Sequence, residues 1–208
     1  MTFSIVAGNP ATGELGIATT TCLVGVGDAV PAAKVGVGAI GCQAQIRPSS
    51  RQRLLDDLEA GLSMEDAIGR MLNDDSEAQK RQVLGIDAQC KPFVYTGAMV
   101  PHVSGAIIGR HHAVAGNLLA HEAVVHAVDM RFTMTSDLPL AHRLVRSLVM
   151  GEQAGGDKRG RMSAALLLVS PQHRPLSIRI DYSNDPLSDL EAALLSRLSP
   201  ELIEAFNR

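Results

Sequence analysis

The sequence is poor in aromatic residues, which make up 3% of its 208 residues and include no Trp. Proteins that bind single-stranded nucleic acid stack bases on aromatic side chains, so this scarcity argues against such a partner. The formal net charge of −3 likewise offers no basic surface to nucleic acid or to an anionic membrane. The 46% hydrophobic content is sufficient for the core of one globular domain spanning residues 1–208.

Cysteine is also scarce, and the three residues are Cys22, Cys42 and Cys90. They form neither a disulfide framework nor a metal-binding spacing, so we predict small core-filling thiols in a reducing compartment. No stretch approaches the roughly 20 continuous apolar residues that span a bilayer. The first residues lack the basic and apolar regions of a secretory signal. We therefore expect a cytoplasmic protein without a membrane or nucleic-acid partner.

Blocks of strands alternate with pairs of helices along the chain. Apolar alternation and turn residues predict strands at residues 1–7, 14–21, 34–45, 82–87, 92–96, 106–109, 112–117, 163–169 and 177–182. Helical spacing predicts helices that begin at Pro48, Ser63, Glu122 and Leu140, and a final helical pair that begins after Asp185 and ends near Phe206.

This order of elements indicates an α+β fold with antiparallel sheets. Strands joined by hairpins favour antiparallel pairing, because parallel neighbours would need a crossover at nearly every step. The helix pairs are expected to cover sheet faces. A four-layer α-β-β-α sandwich of two antiparallel sheets satisfies the order, and a two-layer α+β domain satisfies it as well.

The terminal residues carry the clearest indication of chemistry. A core strand that opens at the terminus is unusual, because free chain ends tend to fray. If Met1 is removed, Thr2 carries a hydroxyl that can attack a carbonyl and a free amine that can take its proton. If Met1 is retained, the nitrogen of Thr2 is an amide and this chemistry cannot run. Both states are compatible with the sequence.

An amine that serves as a base works best when its pKa lies near the working pH. An unperturbed α-amine has a pKa of about 8, and a nearby ammonium group lowers it by repulsion between like charges. Lys34 is the candidate for that ammonium, because its strand could lie beside the first strand. The alternative is a solvated lysine at a strand edge.

Other polar residues are candidates for substrate binding. Several could line the same cleft as Thr2 and donate to an oxyanion, namely Thr19, Thr20, Thr21, Gln43 and Asn117. In the glycine loop at 155–161, an anionic group of the substrate could be held by Asp157, Lys158, Arg159 and Arg161, since an arginine fork matches a carboxylate. Asp157 and Arg161 would help to orient the substrate. The loop could equally be a structural turn whose charges pair with each other. The histidines lack a metal-binding spacing, so no metal is predicted.

Four stretches fit the pattern of one known family. They are TFSIVA at 2–7, GVGA at 36–39 followed by Gln43-Ala44, GNLLA at 116–120, and GGDKRGRMSAA at 155–165. Together they resemble family 1028 of the domains of unknown function, a bacterial and archaeal branch of the N-terminal nucleophile (Ntn) hydrolase-like superfamily. The resemblance runs from residue 2 to about residue 185.

The resemblance implies the α-β-β-α sandwich and an amide-cleaving activity, and it supplies no substrate. The spacing of Lys34 from Thr2 is similar to that of the lysine serving the nucleophile in proteasome-type relatives. Many relatives carry Thr where this chain has Cys42.

We therefore predict an amidohydrolase that cleaves a C–N bond of a small polar substrate without a cofactor. Thr2 would be the nucleophile, its amine the base, and Lys34 the group that tunes the amine. The main alternative is a non-catalytic or regulatory small-molecule-binding protein that keeps the sandwich, and a third is an oligomer-forming scaffold. Strand edges and an apolar helical face favour a homodimer or a higher homo-oligomer.

Overall fold

The computed structural model describes residues 2–47 and 49–197. The strands of this part of the chain are β1 (Thr2–Asn9), β2 (Glu14–Thr21), β3 (Pro31–Lys34), β4 (Gly38–Ala44), β5 (Arg81–Asp87), β6 (Pro92–Thr96), β7 (Gly105–Ile108), β8 (His112–Asn117), β9 (Ser163–Val169) and β10 (Leu176–Ile180). The helices are α1 (Val26–Ala29), α2 (Ser49–Glu59), α3 (Met64–Asn73), α4 (Ala123–Met134), α5 (Leu140–Gln153) and α6 (Pro186–Leu195).

The strands form two antiparallel sheets. The six-stranded sheet has the order β10-β9-β2-β1-β8-β7, and the four-stranded sheet has the order β3-β4-β5-β6. The first strand is central in its sheet, because β1 pairs with β2 on one side and with β8 on the other. The amino-terminal residues are therefore held by two neighbours and do not lie at an edge.

Helices cover the outer face of each sheet, and the inner faces pack on each other. Val124, Leu144 and Leu190, from α4, α5 and α6, pack against the six-stranded sheet. Residues of α2 and α3 pack in the same way against the four-stranded sheet. A third apolar cluster fills the space between the sheets. The predicted α-β-β-α sandwich is thus confirmed.

Apolar side chains of β1 pack against a neighbouring layer on each face of the sheet. Phe3 and Ile5 belong to the cluster under the helices, whereas Val6 belongs to the cluster between the sheets. Successive side chains of a strand point to opposite faces, so residues 2–8 of this strand, all buried, are covered by a layer on each side. Burial on both faces explains why the run reads as continuously apolar.

The predicted single strand at 34–45 is wrong. The chain forms β3, turns at residues 35–37, and returns as β4. Gly36 has a φ of +68° at this turn, a conformation that glycine adopts without strain. Pro31 opens β3 at the edge of its sheet, where a missing N–H is tolerated. Lys34 therefore ends an edge strand of the second sheet, and β3 does not lie beside β1.

Most other elements match the predictions within a few residues. Ser63 caps α3 as expected, because its hydroxyl accepts a hydrogen bond from the Asp66 amide at 3.1 Å. The helix start at Pro48 and the end of the helical pair near Phe206 lie outside the described residues. None of the helices formed by residues 2–47 and 49–197 is both long and apolar enough to span a membrane.

Candidate active site

The space between the two sheets changes from apolar to polar toward one end. Five strands contribute to this change. On the face that each strand turns toward the other sheet, apolar or glycine residues lie at one end and polar residues lie at the other, and the polar residues of the five strands lie at the same end of the sandwich. The resulting set, here called the inter-sheet polar cluster, consists of Thr2, Ser4, Thr19, Thr21, Gln43, Gln82 and Asn117. All seven are at most 5% exposed. Because burying polar groups costs free energy unless they are hydrogen-bonded, such a cluster marks a candidate functional site.

Two glutamines join the sheets. Gln43 Oε1 accepts a hydrogen bond from Ser4 Oγ at 2.7 Å, and Gln43 Nε2 donates to Gln82 Oε1 at 2.8 Å. Gln82 Nε2 in turn donates to the Gly116 carbonyl at 3.0 Å. Asn117 Nδ2 donates to Gln82 Oε1 at 2.9 Å. The cluster is therefore one connected network that spans both sheets.

Thr2 lies at one edge of this network. Its Oγ1 donates to Thr21 Oγ1 at 3.3 Å, and its carbonyl oxygen lies 3.4 Å from the donor Gln43 Nε2. The register of β1 and β8 places it opposite Asn117. The hydroxyl thus lies among polar groups and not in packed hydrocarbon, so a nucleophilic role is physically compatible with its surroundings.

Asn117 has an unsatisfied acceptor. Its Oδ1 is buried and has no hydrogen-bond partner among the described residues, although the residue is only 1% exposed. A buried acceptor without a donor costs about 1–3 kcal/mol. A ligand N–H group or an ammonium group placed beside Thr2 could donate a hydrogen bond to Asn117 Oδ1 and so remove this cost.

The glycine loop at 155–161 lies at the same end of the sandwich. Asp157 Oδ2 accepts from the Cys22 amide at 3.0 Å, and Asp157 Oδ1 accepts from the Arg159 amide at 2.8 Å. Asp157 also forms a bridge with Leu119, two residues after Asn117. Asp157 therefore fastens the loop to the end of β2 through its carboxylate and to the segment after β8 through its backbone.

The cations of this loop differ in their partners. Arg161 pairs with Glu152 at 2.9 Å and with Asp185 at 3.3 Å, and the hydrogen bond to Glu152 raises the pKa of its guanidinium. Lys158 is exposed, and its ammonium has no partner among the described residues. Its backbone N–H donates to the Leu118 carbonyl at 3.4 Å, beside Asn117. Lys158 is thus the loop cation free to meet an anion.

Thr20 and Lys34, both predicted as site residues, lie away from the inter-sheet polar cluster. Thr20 shares a face with Ala18, under the helices, and its hydroxyl donates to the Ser163 carbonyl at 3.0 Å. It faces away from the inter-sheet polar cluster because it alternates with Thr19 and Thr21.

Lys34 lies at the far end of its hairpin. It forms an ion pair with Glu59 at 2.6 Å and is paired across the strands with Gly38. Gln43 is five residues further along β4, roughly 16 Å away at about 3.3 Å per residue. The expected tuning of the Thr2 amine by Lys34 therefore finds no support in this geometry.

Two members of the cluster had no predicted role, namely Ser4 and Gln82. The signal for Ser4 is its spacing of two from Thr2, which puts both hydroxyls on one face of a strand. For Gln82 the signal is a polar residue at the start of an otherwise apolar strand.

The thiols of the buried cysteines are poor nucleophiles. Burial raises the pKa of Cys42 to about 12, and Cys42 lies in the apolar cluster under α2 and α3. Burial also raises the pKa of Cys90. In the part of the chain that the structure describes, no group of three His, Cys, Asp or Glu side chains could hold a metal ion.

Comparisons with known proteins agree with this architecture. A crystal structure of protein SPO2555 from Silicibacter pomeroyi, which carries the DUF1028 family model, matches with a TM-score of 0.89 and 29% identity over 97% of this chain and 88% of that chain. A weaker similarity is to Anbu from Hyphomicrobium sp. strain MC1, with a TM-score of 0.46 and 12% identity over 99% of this chain and 97% of that chain. No curated protein matches the sequence. Because the model of the Family of unknown function (DUF1028) matches residues 2–190, the chain belongs to that family.

Proposed function

We propose that this protein is a hydrolase of the N-terminal nucleophile type, which cleaves a C–N (amide) bond of a small polar substrate. One observation carries the proposal: Thr2 lies inside a buried polar network and opposite the unsatisfied acceptor of Asn117. A purely structural interface between two sheets would be more stable with apolar residues at these positions.

The proposed reaction begins with proton transfer within Thr2. Once Met1 is removed, the amine accepts the proton of Oγ1, and Oγ1 attacks the carbonyl carbon of the substrate. The C–N bond then breaks, and the ammonium returns the proton to the leaving nitrogen. Water hydrolyses the ester that remains on Oγ1, with the amine again acting as the base. The steps need no cofactor.

Residues around Thr2 have supporting roles in this scheme. Thr21 Oγ1 orients the hydroxyl of Thr2. Asn117 Oδ1 accepts a hydrogen bond from the ammonium that forms during attack, and so stabilises the charge of that state. Gln43 holds the carbonyl of Thr2 and thereby fixes the strand.

The glycine loop supplies the substrate contact. Asp157 holds the loop in place, and Arg161 orients it through Glu152 and Asp185. Lys158 meets an anionic group of the substrate, because its charge has no partner among the described residues. Substrates that carry a carboxylate near the scissile amide are therefore favoured.

A second candidate function is a non-catalytic small-molecule-binding protein that keeps this fold. The burial of Thr2 and the satisfied glutamines favour it, because a closed, hydrogen-bonded cluster can serve as a rigid base for a binding site.

Removal of Met1 separates the two candidates. We expect the intact mass of protein purified from its own host to be lower than that of the full sequence by one methionine residue, because the proposed base is the free amine of Thr2. Intact-protein mass spectrometry measures this directly. Retention of Met1 in every preparation, together with silence in amide substrate screens, would favour the binding protein.

Two lysine variants test the substrate contact. Lys158→Met is expected to raise KM for an amide substrate with a carboxylate by about 5- to 10-fold, because the variant lacks one exposed charged contact to that carboxylate. The matched variant Lys34→Met removes the same charge far from Thr2, and it should leave KM and kcat unchanged within about two-fold. A fall in kcat for Lys34→Met, with a shifted pH profile, would instead restore its tuning role.

A further inference from the structure

A cavity of about 710 Å³ lies at the opposite end of the six-stranded sheet from Thr2. Its lining includes Gly8 of β1 and His112 of β8, together with residues of α4 and α5. Gly8 and Thr2 are six residues apart on one strand, which corresponds to roughly 20 Å. The cavity is therefore separate from the inter-sheet polar cluster, and its volume is within the usual range for small-molecule sites.

The main charge in this cavity is the guanidinium of Arg143. It lies 3.8 Å over the centre of the Phe132 ring, and its Nη2 donates to the Phe132 carbonyl at 3.0 Å. Its Nε is buried and has no hydrogen-bond partner in the part of the chain that the structure describes. No carboxylate of residues 2–47 and 49–197 lies within ion-pair distance of this side chain. Asp137 contributes only a longer-range attraction, so this half-buried guanidinium has no ion-pair partner among the described residues, and an anion that joins it would stabilise its charge.

The other charged groups leave the cavity positive. Arg110, in the turn between β7 and β8, is exposed and has no ion-pair partner among the described residues. The carboxylate of Asp129, which also lines the cavity, lies 2.7 Å from His112 Nε2 and forms no ion pair with Arg143, so the lining carries two guanidinium charges against one carboxylate. The ring of His112 packs against Phe132 at 4.6 Å between centroids. The cavity thus presents two guanidinium groups that have no ion-pair partner among residues 2–47 and 49–197, on a wall fixed by aromatic packing.

Apolar groups form the rest of the wall. Pro10, Ile107 and Ile108 line the cavity beside these charges. A ligand that contacts both the arginine side chains and the apolar wall has one anionic end and a short aliphatic portion. One half-buried guanidinium matches the two oxygens of a carboxylate in a fork, whereas a strongly hydrated dianion would gain little from the apolar wall.

We propose that this cavity is a binding site for a small aliphatic carboxylate, with Arg143 and Arg110 meeting the carboxylate and Ile107 covering the aliphatic chain. The site is independent of the proposed hydrolase activity, because it shares no residue with the inter-sheet polar cluster. Binding can therefore be tested without any substrate.

The test uses isovalerate as the probe and isovaleramide as its neutral isostere. Isovalerate should shift the backbone amide NMR signals of Gly109 and His112 saturably, with a Kd of about 1 mM or tighter. Isovaleramide should show no saturable shift. Arg143→Gln should weaken isovalerate binding at least about 10-fold, whereas Arg70→Gln, on α3 beyond the other sheet, should not change it.

Each alternative result has a defined meaning. Equal binding of isovaleramide, or unchanged affinity in Arg143→Gln, overturns the proposal. Tighter binding of inorganic phosphate than of isovalerate overturns the assignment to a carboxylate. If Arg143→Gln fails to fold, Arg110→Gln replaces it, since that side chain is exposed, and a loss of affinity below about two-fold there also overturns the proposal.

Discussion

Thr2→Ala is expected to lower kcat/KM for amide hydrolysis by more than about 10³-fold, because it removes the attacking oxygen and leaves the amine without its proton donor. The fold should survive, since the lost side chain makes one hydrogen bond of 3.3 Å to Thr21. Activity against an amide substrate and the urea midpoint, measured on the same preparation, separate the two effects.

Two variants serve as controls for this experiment. Thr2→Ser keeps a hydroxyl beside the amine and should retain measurable hydrolysis. Thr12→Ala makes the same chemical change in the turn between β1 and β2, where the hydroxyl donates to Glu14 at 2.9 Å, and should leave the rate unchanged. Full activity in Thr2→Ala would move the nucleophile to another residue.

Asp75→Ala is expected to have the largest effect on stability, lowering the free energy of unfolding by about 3–5 kcal/mol. Asp75 forms a two-pronged ion pair with Arg81, with Nε–Oδ2 at 2.8 Å and Nη2–Oδ1 at 3.3 Å. Both side chains are less than a tenth exposed, so the variant leaves a buried guanidinium with only its longer and more exposed ion pair to Glu77, at 3.4 Å. Urea unfolding at pH 7 measures the loss.

The matched control is Asp74→Ala, one residue earlier. Asp74 pairs with Arg53, but its side chain is 61% exposed, so solvent screens the pair. Its urea midpoint should stay close to that of the wild type. Similar losses in both variants would mean that the turn itself, and not the buried pair, determines stability here.

The Asp75 pair also sets a pH dependence. The hydrogen bond from Arg81 lowers the pKa of the Asp75 carboxyl below its ordinary value. A carboxyl with a lowered folded-state pKa stabilises the protein above its unfolded pKa of about 3.9, and that contribution is lost as the pH falls through the folded pKa. The stability difference between wild type and Asp75→Ala should therefore narrow below about pH 4.

The spacing of apolar residues predicts the helices and strands of this fold well where only one face of the element is apolar. The helix α5 and the β5–β6 hairpin fall within a few residues of their expected bounds. The spacing of apolar residues does not show which face each side chain occupies when a strand is buried on both sides. Thr19, Thr20 and Thr21 are all buried, so composition alone does not show that Thr20 faces the helices.

The candidate site was predictable only in part for a similar reason. Thr2, Gln43 and Asn117 were expected to meet, and the structure brings all three into one network. The structure places Lys34 away from the strand of Thr2, because the glycine-rich stretch forms a hairpin turning at Gly36 although its sequence is equally typical of one strand. Gln82 was missed because its partners come from the other sheet, which short-range patterns do not encode.

The central position of β1 has a consequence for biosynthesis. The strand that carries Thr2 is translated well before its neighbour β8 and the loop around Asp157. The proposed active site therefore stays unassembled until β8 and the loop around Asp157 have been made. A truncated product of translation that stops before Asn117 would lack the proposed chemistry altogether.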